Sequence, residues 1–402
     1  MNCIIYLLDG LSPLAIKNKD NKNFSGEKIK ENYISKLQKN SVNFHNIYGY
    51  GETFSTTYEL FTGKNIYKSC CDAFHLFTSF PENKNLGYYF KKNNFNTFLF
   101  RDPHENHPMG GFYGRYFNVM KKNFDFFCVK KKNKNYDFNN FFDEKNIKNF
   151  LSKKKNNFFI FHDFSLHDNK KAYSNSTPKN YLEAVNHSAK IVKSNLDLIK
   201  YNENRDTLIF LSDHGLNLKP HDQLHFNKKI SKEKYEAYYK NLFLNEKIKI
   251  TCFIKSPGIK TEVNRNYYKP SFIFSVVKKF AQKKLKKNTI KKLVTKLKKN
   301  NKKIIISLRA ANQDPYNNFF LKKYFHCFFL LLGKNKKISY SHNHKFTYSD
   351  LNTNKYKKKE NVEGNFKRTI QEYFSIKNFF SKSILFVISI GIRAFIKLRP
   401  KQ

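Results

Sequence analysis

Tryptophan is absent from this 402-residue sequence, while lysine, asparagine, phenylalanine, isoleucine and tyrosine are all abundant. An AT-rich coding sequence produces that combination without selection for any partner. Acidic residues are scarce: 31 Asp and Glu against 76 Lys and Arg leave a formal charge of +45. That charge favours anionic substrates, acidic partners or anionic membrane surfaces. It does not by itself make a nucleic-acid binder, because the lysines are scattered through nearly every loop and no recognition motif stands in its own structural context. A basic nucleic-acid-binding protein is the alternative reading it leaves open. None of the cysteines at 3, 70, 71, 128, 252 and 327 forms a CxxC pair, which argues against a cysteine-built metal cluster. Cys3 and Cys252 lie in apolar, strand-like runs, as small buried thiols do. The expectation is six reduced cysteines in a cytoplasmic protein. No apolar run reaches the roughly 20 residues of a membrane span; the nearest is Ile384–Ile392. Met1-Asn2 runs straight into Cys3–Leu8 with no basic or extended apolar leader, so no secretory signal is expected. Internal repeats are absent too.

Hydrophobic residues make up 40% of the chain and aromatics 17%, enough to exclude a disordered protein. Short apolar runs at Ile4–Leu8, Thr97–Phe100, Phe158–Phe161, Thr207–Leu211 and Ile248–Ile254 suit strands buried on both faces of a parallel sheet. Tyr181–Tyr201 carries an apolar stripe at Leu182, Val185, Ala189, Val192, Leu196 and Ile199, the three- and four-residue spacing of a helix. This alternation predicts an α/β sandwich with a mostly parallel central sheet and helices on both faces. The basic run Lys283–Lys303 marks an expected junction. After it, Ile304–Leu308 and Phe325–Leu332 read as strands, followed by a polar segment, Lys334–Asn365. The domains expected are a catalytic α/β domain over 1–282, a smaller C-terminal α+β part over 283–365, and a basic amphipathic tail over 366–402. Ile384–Leu398 sets apolar residues beside Arg393 and Lys397, either to lie on an anionic membrane, at its inner face, or to pack on the protein's own core.

Ligands of open α/β sheets bind beyond the carboxyl ends of the strands, and four such ends carry chemistry here. Asp9 follows the first strand, with Gly10 permitting a sharp turn; a structural cap is the alternative. Gly49 through Thr57 places the hydroxyls of Thr53, Ser55, Thr56 and Thr57 before an apolar segment. Helix capping accounts for some of them. If Thr53 is instead a nucleophile, a metal or base must lower its pKa near neutral pH. Ser212-Asp213-His214-Gly215 offers one carboxylate and one imidazole to a single cation, a mix suited to zinc or manganese more than to calcium or magnesium. Asp163 and His167 are four positions apart past another strand end, able to bind a second metal or a substrate anion, or simply to occupy a polar loop. His221 and His225 follow within reach of the same centre.

Taken together, these segments resemble the sulfatase family of the alkaline-phosphatase-like superfamily. Ile4–Gly10 is similar to the first strand and its metal-binding aspartate. Asn43–Tyr48 resembles the family's approach to the nucleophile, and Thr53 through Leu60-Phe61-Thr62-Gly63 the nucleophile helix ending in L-x-T-G. Phe158–Asp168, Tyr181–Gly215 with its SDHG signature, Lys255-Ser256-Pro257-Gly258 and Phe346–Leu351 follow in family order. The formylglycine signature C/S-x-P-S-R is replaced by Thr53-Phe54-Ser55-Thr56-Thr57. A threonine at this place resembles the phosphoethanolamine and phosphoglycerol transferases of the superfamily. The resemblance implies one or two divalent metals. Asp9, Thr53, Asp213 and His214 would be ligands of the first. His167, His225, His221 and Asp163 would stand at the substrate or a second metal, and Lys228 would help stabilise the transition state. The implied activity is hydrolysis or transfer of a phosphate or sulfate ester on a glycan- or lipid-linked anionic substrate. A non-catalytic binding protein of the same fold is the remaining alternative.

Overall fold

The computed structural model describes residues 2–18, 21–49, 53–63, 84–101, 122–129, 151, 156–167, 169, 177–215, 248–259 and 261–282, and strand segments within 304–358. Two compact units are present: residues 1–64, 80–220 and 244–301 form one, and 65–79, 221–243 and 302–402 the other. The expected junction 283–303 and tail 366–402 lie outside the described residues.

The first unit is built on a 9-stranded sheet. Its strands are β1 (Asn2–Leu8), β4 (Val42–Tyr48), β5 (Asn96–Arg101), β6 (Phe126–Val129), β7 (Asn157–Asp163), β8 (Thr207–Leu211), β9 (Lys249–Ile250), β10 (Cys252–Lys255) and β11 (Glu262–Tyr268), while β2 (Asn23–Phe24) and β3 (Glu27–Lys28) form a separate hairpin. The order is β11-β4-β10-β8-β1-β7-β5-β6, with β9 also on β4. Pairings are parallel from β8 through β1, β7, β5 and β6 and between β11 and β4; only β9 and β10 run against their neighbours. The expected mostly parallel sheet is therefore observed. Two differences are local. The run Ile248–Ile254 is not one strand but two, broken at Thr251, whose main-chain amide turns aside to the Ser212 hydroxyl at 2.9 Å. Val42–Tyr48, met in the sequence only as an approach to the nucleophile, is a full strand.

β1, β7 and β8 are buried along their whole length, as continuous apolar runs require. One face of β1, with Ile4, Tyr6 and Leu8, packs in a core with Tyr181, Val185, Ala189, Val192 and Leu196. These residues belong to the helix Pro178–Leu198, numbered α4 after α1 (Tyr33–Lys39), α2 (Thr53–Thr62) and α3 (Leu86–Lys92). It begins three residues before the predicted stripe because Thr177 caps it and Pro178 opens it. Across the sheet, Phe90 of α3 stacks on Phe158 at 3.6 Å, and α2 packs with α5 (Pro270–Ala281). Glu59 of α2, fully buried, accepts from the Ser271 amide in the first turn of α5 at 3.3 Å. At the amino ends of the strands, a side-chain ladder runs from Asn96 to Asn157 (3.1 Å), Asn157 to Asn2 (2.9 Å) and Asn2 to Asp206 (3.2 Å). It satisfies the buried polar groups there, leaving the carboxyl ends for the ligand site.

The second unit holds an antiparallel 5-stranded sheet in sequence order, β12 (Ile304–Arg309), β13 (Cys327–Gly333), β14 (Lys336–Ser341), β15 (His344–Asp350) and β16 (Tyr356–Lys358). The last three fall in the segment read from sequence only as polar; their alternation of lysines and hydroxyls with aromatic and β-branched residues suits an antiparallel sheet. No helix among the described residues is long and apolar enough to cross a membrane.

Candidate metal centre and nucleophile

Asp9 follows β1 and Asp213 follows β8, and these strands are parallel neighbours. Adjacent strands lie about 4.8 Å apart, so residues just past their carboxyl ends come side by side although 204 positions separate them in the chain. Gly10 adopts φ +76°, the left-handed region. Its amide donates to Asp213 Oδ1 at 3.1 Å, and the His214 amide donates to the same oxygen at 2.9 Å. Asp213 Oδ2 is left buried with no hydrogen-bond partner, and so is Asp9 Oδ1. The imidazole of His214 is oriented by its own turn: Nδ1 is 2.8 Å from the Gly215 carbonyl, which only accepts, so Nδ1 carries a hydrogen, and in the neutral ring Nε2 presents a lone pair. Nε2 lies 3.4 Å from Asp9 Oδ1 and 3.7 Å from Asp213 Oδ2.

Three acceptor atoms thus face one another, each within 4.8 Å of the others, in a buried site. Without a positive charge between them the arrangement is costly. The donor set of two carboxylate oxygens and an imidazole nitrogen fits a divalent cation. The electrostatics agree. Burial and then the neighbouring Asp213 charge push the Asp9 carboxyl up to about 7, against the pull of His167, His214 and the Thr53 hydroxyl. Burial opposes ionisation of Asp213 as well, but His214, Thr53, His162 and the Gly10 amide together hold its carboxyl below the usual range.

Thr53 opens α2, is 8% exposed, and directs its hydroxyl at Asp9 Oδ2 across 2.9 Å. The following hydroxyls serve the helix: Thr57 donates to the Thr53 carbonyl at 2.7 Å and Thr62 to the Tyr58 carbonyl at 2.7 Å. Gly49 brings α2 to the site. A Cβ there would lie 2.8 Å from the Asp213 carbonyl oxygen and 2.8 Å from Thr56 Oγ1, so only glycine lets the chain pass between them just after β4.

Asp9, Thr53, Asp213 and His214 are therefore brought together. His167, half-buried and edge-on to Phe164, lies near enough for its charge to act on Asp9. Asp163 is engaged elsewhere: Oδ2 accepts from the Tyr6 hydroxyl at 2.5 Å and Oδ1 from the Ser165 amide at 2.8 Å. His221, His225 and Lys228 lie outside the described residues. One residue went unnoticed in the sequence: His162, 2% exposed, whose charge helps lower the Asp213 carboxyl. Its signal was a lone polar residue continuing a buried apolar strand.

No protein-family model matches the sequence, and no curated protein does. The fold, by contrast, has many solved likenesses. A protein of the alkaline phosphatase superfamily from Vibrio parahaemolyticus aligns with a TM-score of 0.57 over 91% of this chain and 84% of its own, at 12% identity. A 2-O GAG sulfatase aligns at 0.56 over 99% and 94%, with 15% identity. Ps i-CgsB, solved in complex with k-i-k-neocarrahexaose, aligns at 0.54 over 92% and 90%, with 13% identity. The chain has the alkaline-phosphatase-like α/β fold shared by the sulfatases.

Proposed function

We propose that the protein is a metal-dependent ester hydrolase or transferase in which Thr53 attacks a phosphate or sulfate ester of an anionic glycan or lipid-linked substrate. The observation that carries this reading is the Thr53 hydroxyl 2.9 Å from Asp9, in a buried site where Asp9 Oδ1 and Asp213 Oδ2 lack hydrogen-bond partners. Asp9, Asp213 and His214, with Thr53, would hold a divalent cation. When bound, the ion supplies Lewis acidity to lower the hydroxyl pKa and neutralise charge on the ester oxygens. The chain does the rest. Thr53 Oγ1 forms a bond to phosphorus or sulfur as the bond to the leaving alcohol breaks, and that alcohol departs with a proton. Water or an acceptor alcohol then attacks the threonine ester and regenerates the hydroxyl. His167 is assigned to the substrate oxygens, and the +45 charge suits an anionic substrate. The formylglycine signature is missing, so the nucleophile is threonine itself. Likeness in fold to a 2-O GAG sulfatase and to a protein solved with neocarrahexaose supports a glycan ester among the candidates.

The test is a screen of aryl phosphate monoesters, phosphodiesters and sulfates with Zn(II) or Mn(II), comparing wild type, Thr53→Ala and chelated enzyme. Turnover of one class that is lost in both controls is expected. Turnover indifferent to Thr53→Ala would sink the reading.

A further inference from the structure

Asp163 closes β7 one residue after His162, and strand alternation gives the two side chains opposite faces. The face that Asp163 takes is that of α4. There its Oδ2 accepts from the Tyr6 hydroxyl at 2.5 Å, and the same hydroxyl accepts from Nδ2 of Asn195, on α4, at 2.8 Å. The Tyr6 ring is stacked between Phe161 (5.3 Å) and Phe210 (5.6 Å), so the phenol has little freedom to leave. Asp163 Oδ1 accepts from the Ser165 amide two residues on, a turn that bends the chain toward His167. The Ser165 hydroxyl donates in turn to Ser188 of α4 at 3.0 Å. Finally, the Asp163 carbonyl accepts from the Asp9 amide at 2.9 Å.

From this connected path we infer that Tyr6 and Asp163 form a clamp that sets the main chain of Asp9 and the turn carrying His167, so that Asp163 is a positioning residue and not a ligand of metal or substrate. The inference rests on the reading that Asp9, Asp213 and His214 hold a divalent cation. A carboxylate 4% exposed, with a hydrogen bond at each oxygen, would have to give up both to reach a ligand. Leaving the Tyr6 and Ser165 donors unmet is costly. Bonds of this kind, to an ionised acceptor, are the strong ones.

The experiment is calorimetric titration of Zn(II) and of Mn(II) into the full chain, as wild type, Tyr6→Phe, Asp163→Asn and Asp213→Ala, with near-ultraviolet circular dichroism to verify packing. Groups that orient ligands typically change metal affinity by 10- to 100-fold. Tyr6→Phe, which removes one oxygen from an otherwise retained ring, is expected to weaken binding about tenfold with an unchanged dichroism spectrum, and Asp163→Asn to weaken it at least as much. Asp213→Ala is expected to abolish binding. Wild-type affinity in both Tyr6→Phe and Asp163→Asn, with binding lost only in Asp213→Ala, would overturn the clamp and leave the ligand set standing. Complete loss in Asp163→Asn with wild-type affinity in Tyr6→Phe would make Asp163 a ligand and overturn it likewise. No binding by the wild type would remove the ligand set, and the clamp with it.

Discussion

The amide of Gly10 donates to Oδ1 of Asp213 across 3.1 Å, locking the turn after β1 to the turn after β8. With the His214 amide on the same oxygen, Oδ1 is saturated and Oδ2 is the atom turned toward Asp9 and His214. Main-chain groups thus decide which carboxylate oxygen stays available to a cation.

With the cation held as proposed, that arrangement predicts a pH-dependent metal affinity. The Asp9 carboxyl, pushed up to about 7, holds a proton that a bound cation must displace. Affinity for Zn(II) is expected to fall about tenfold for each pH unit below about 7 and to level off above it. In the metal-free protein the sign is the reverse. The folded state keeps this proton where an unfolded aspartate, near 3.9, has lost it. Asp9 therefore stabilises the fold at low pH, and its contribution is lost as pH rises from about 4 to about 7. Calorimetric titration and thermal unfolding across that range check both; a flat affinity profile contradicts the assignment of Asp9.

Thr53→Ala removes the oxygen proposed to attack and leaves the carboxylates and imidazole in place. Turnover is expected to drop by about 10³-fold or more, as for other nucleophile deletions. Zn(II) affinity is expected to fall by about 10- to 100-fold, because Thr53 is proposed as one of the four groups that hold the cation, while the two carboxylates and the imidazole still bind it. Parallel kinetics and metal titration separate the two effects; turnover retained while affinity falls would contradict the nucleophile role.

Gly49→Ala tests the approach of β4. The new methyl would meet the Asp213 carbonyl and Thr56 Oγ1, each at 2.8 Å, and the carbonyl belongs to main chain fixed by β8. Overpacking of this kind costs about 1–3 kcal/mol. Denaturant unfolding should show that loss, with weakened metal binding because Asp213 is the residue displaced.

Glu59→Ala probes how α2 is held. Its buried carboxylate accepts from the Ser271 amide at the start of α5, where Lys269 lacks a capping side chain. Burial lowers the Lys269 pKa and the Glu59 charge opposes that shift. Removing the carboxylate takes its acceptor from the Ser271 amide, and a loss of about 1–3 kcal/mol is expected in chemical unfolding. An unchanged unfolding midpoint would show that packing alone fixes the helix.

Some of this could be read along the chain because one-dimensional patterns report burial. β1, β7 and β8 announced themselves as unbroken apolar runs, and α4 as a stripe. Val42–Tyr48 was less legible: Asn43, His45 and Asn46 interrupt its apolar pattern, and its strand character comes from pairing with β10 and β11. His162 was hidden by the opposite circumstance, a polar residue inside an apolar strand whose surroundings the sequence does not display.

The sequence by itself determined the α/β class and the parallel character of the central sheet, because unbroken apolar runs are local signals; it offered Asp9, Thr53, Asp213 and His214 only as candidates past strand ends, which the resemblance to the sulfatases grouped into one site. Only the tertiary structure decided what each atom does. The order β8-β1-β7 sets Asp9 beside Asp213, and the same order turns Asp163 toward Tyr6. Which donors each carboxylate meets depends in part on groups more than a hundred positions away, Gly10 for Asp213 and Tyr6 for Asp163, and spacing along one chain carries no record of distance across a sheet.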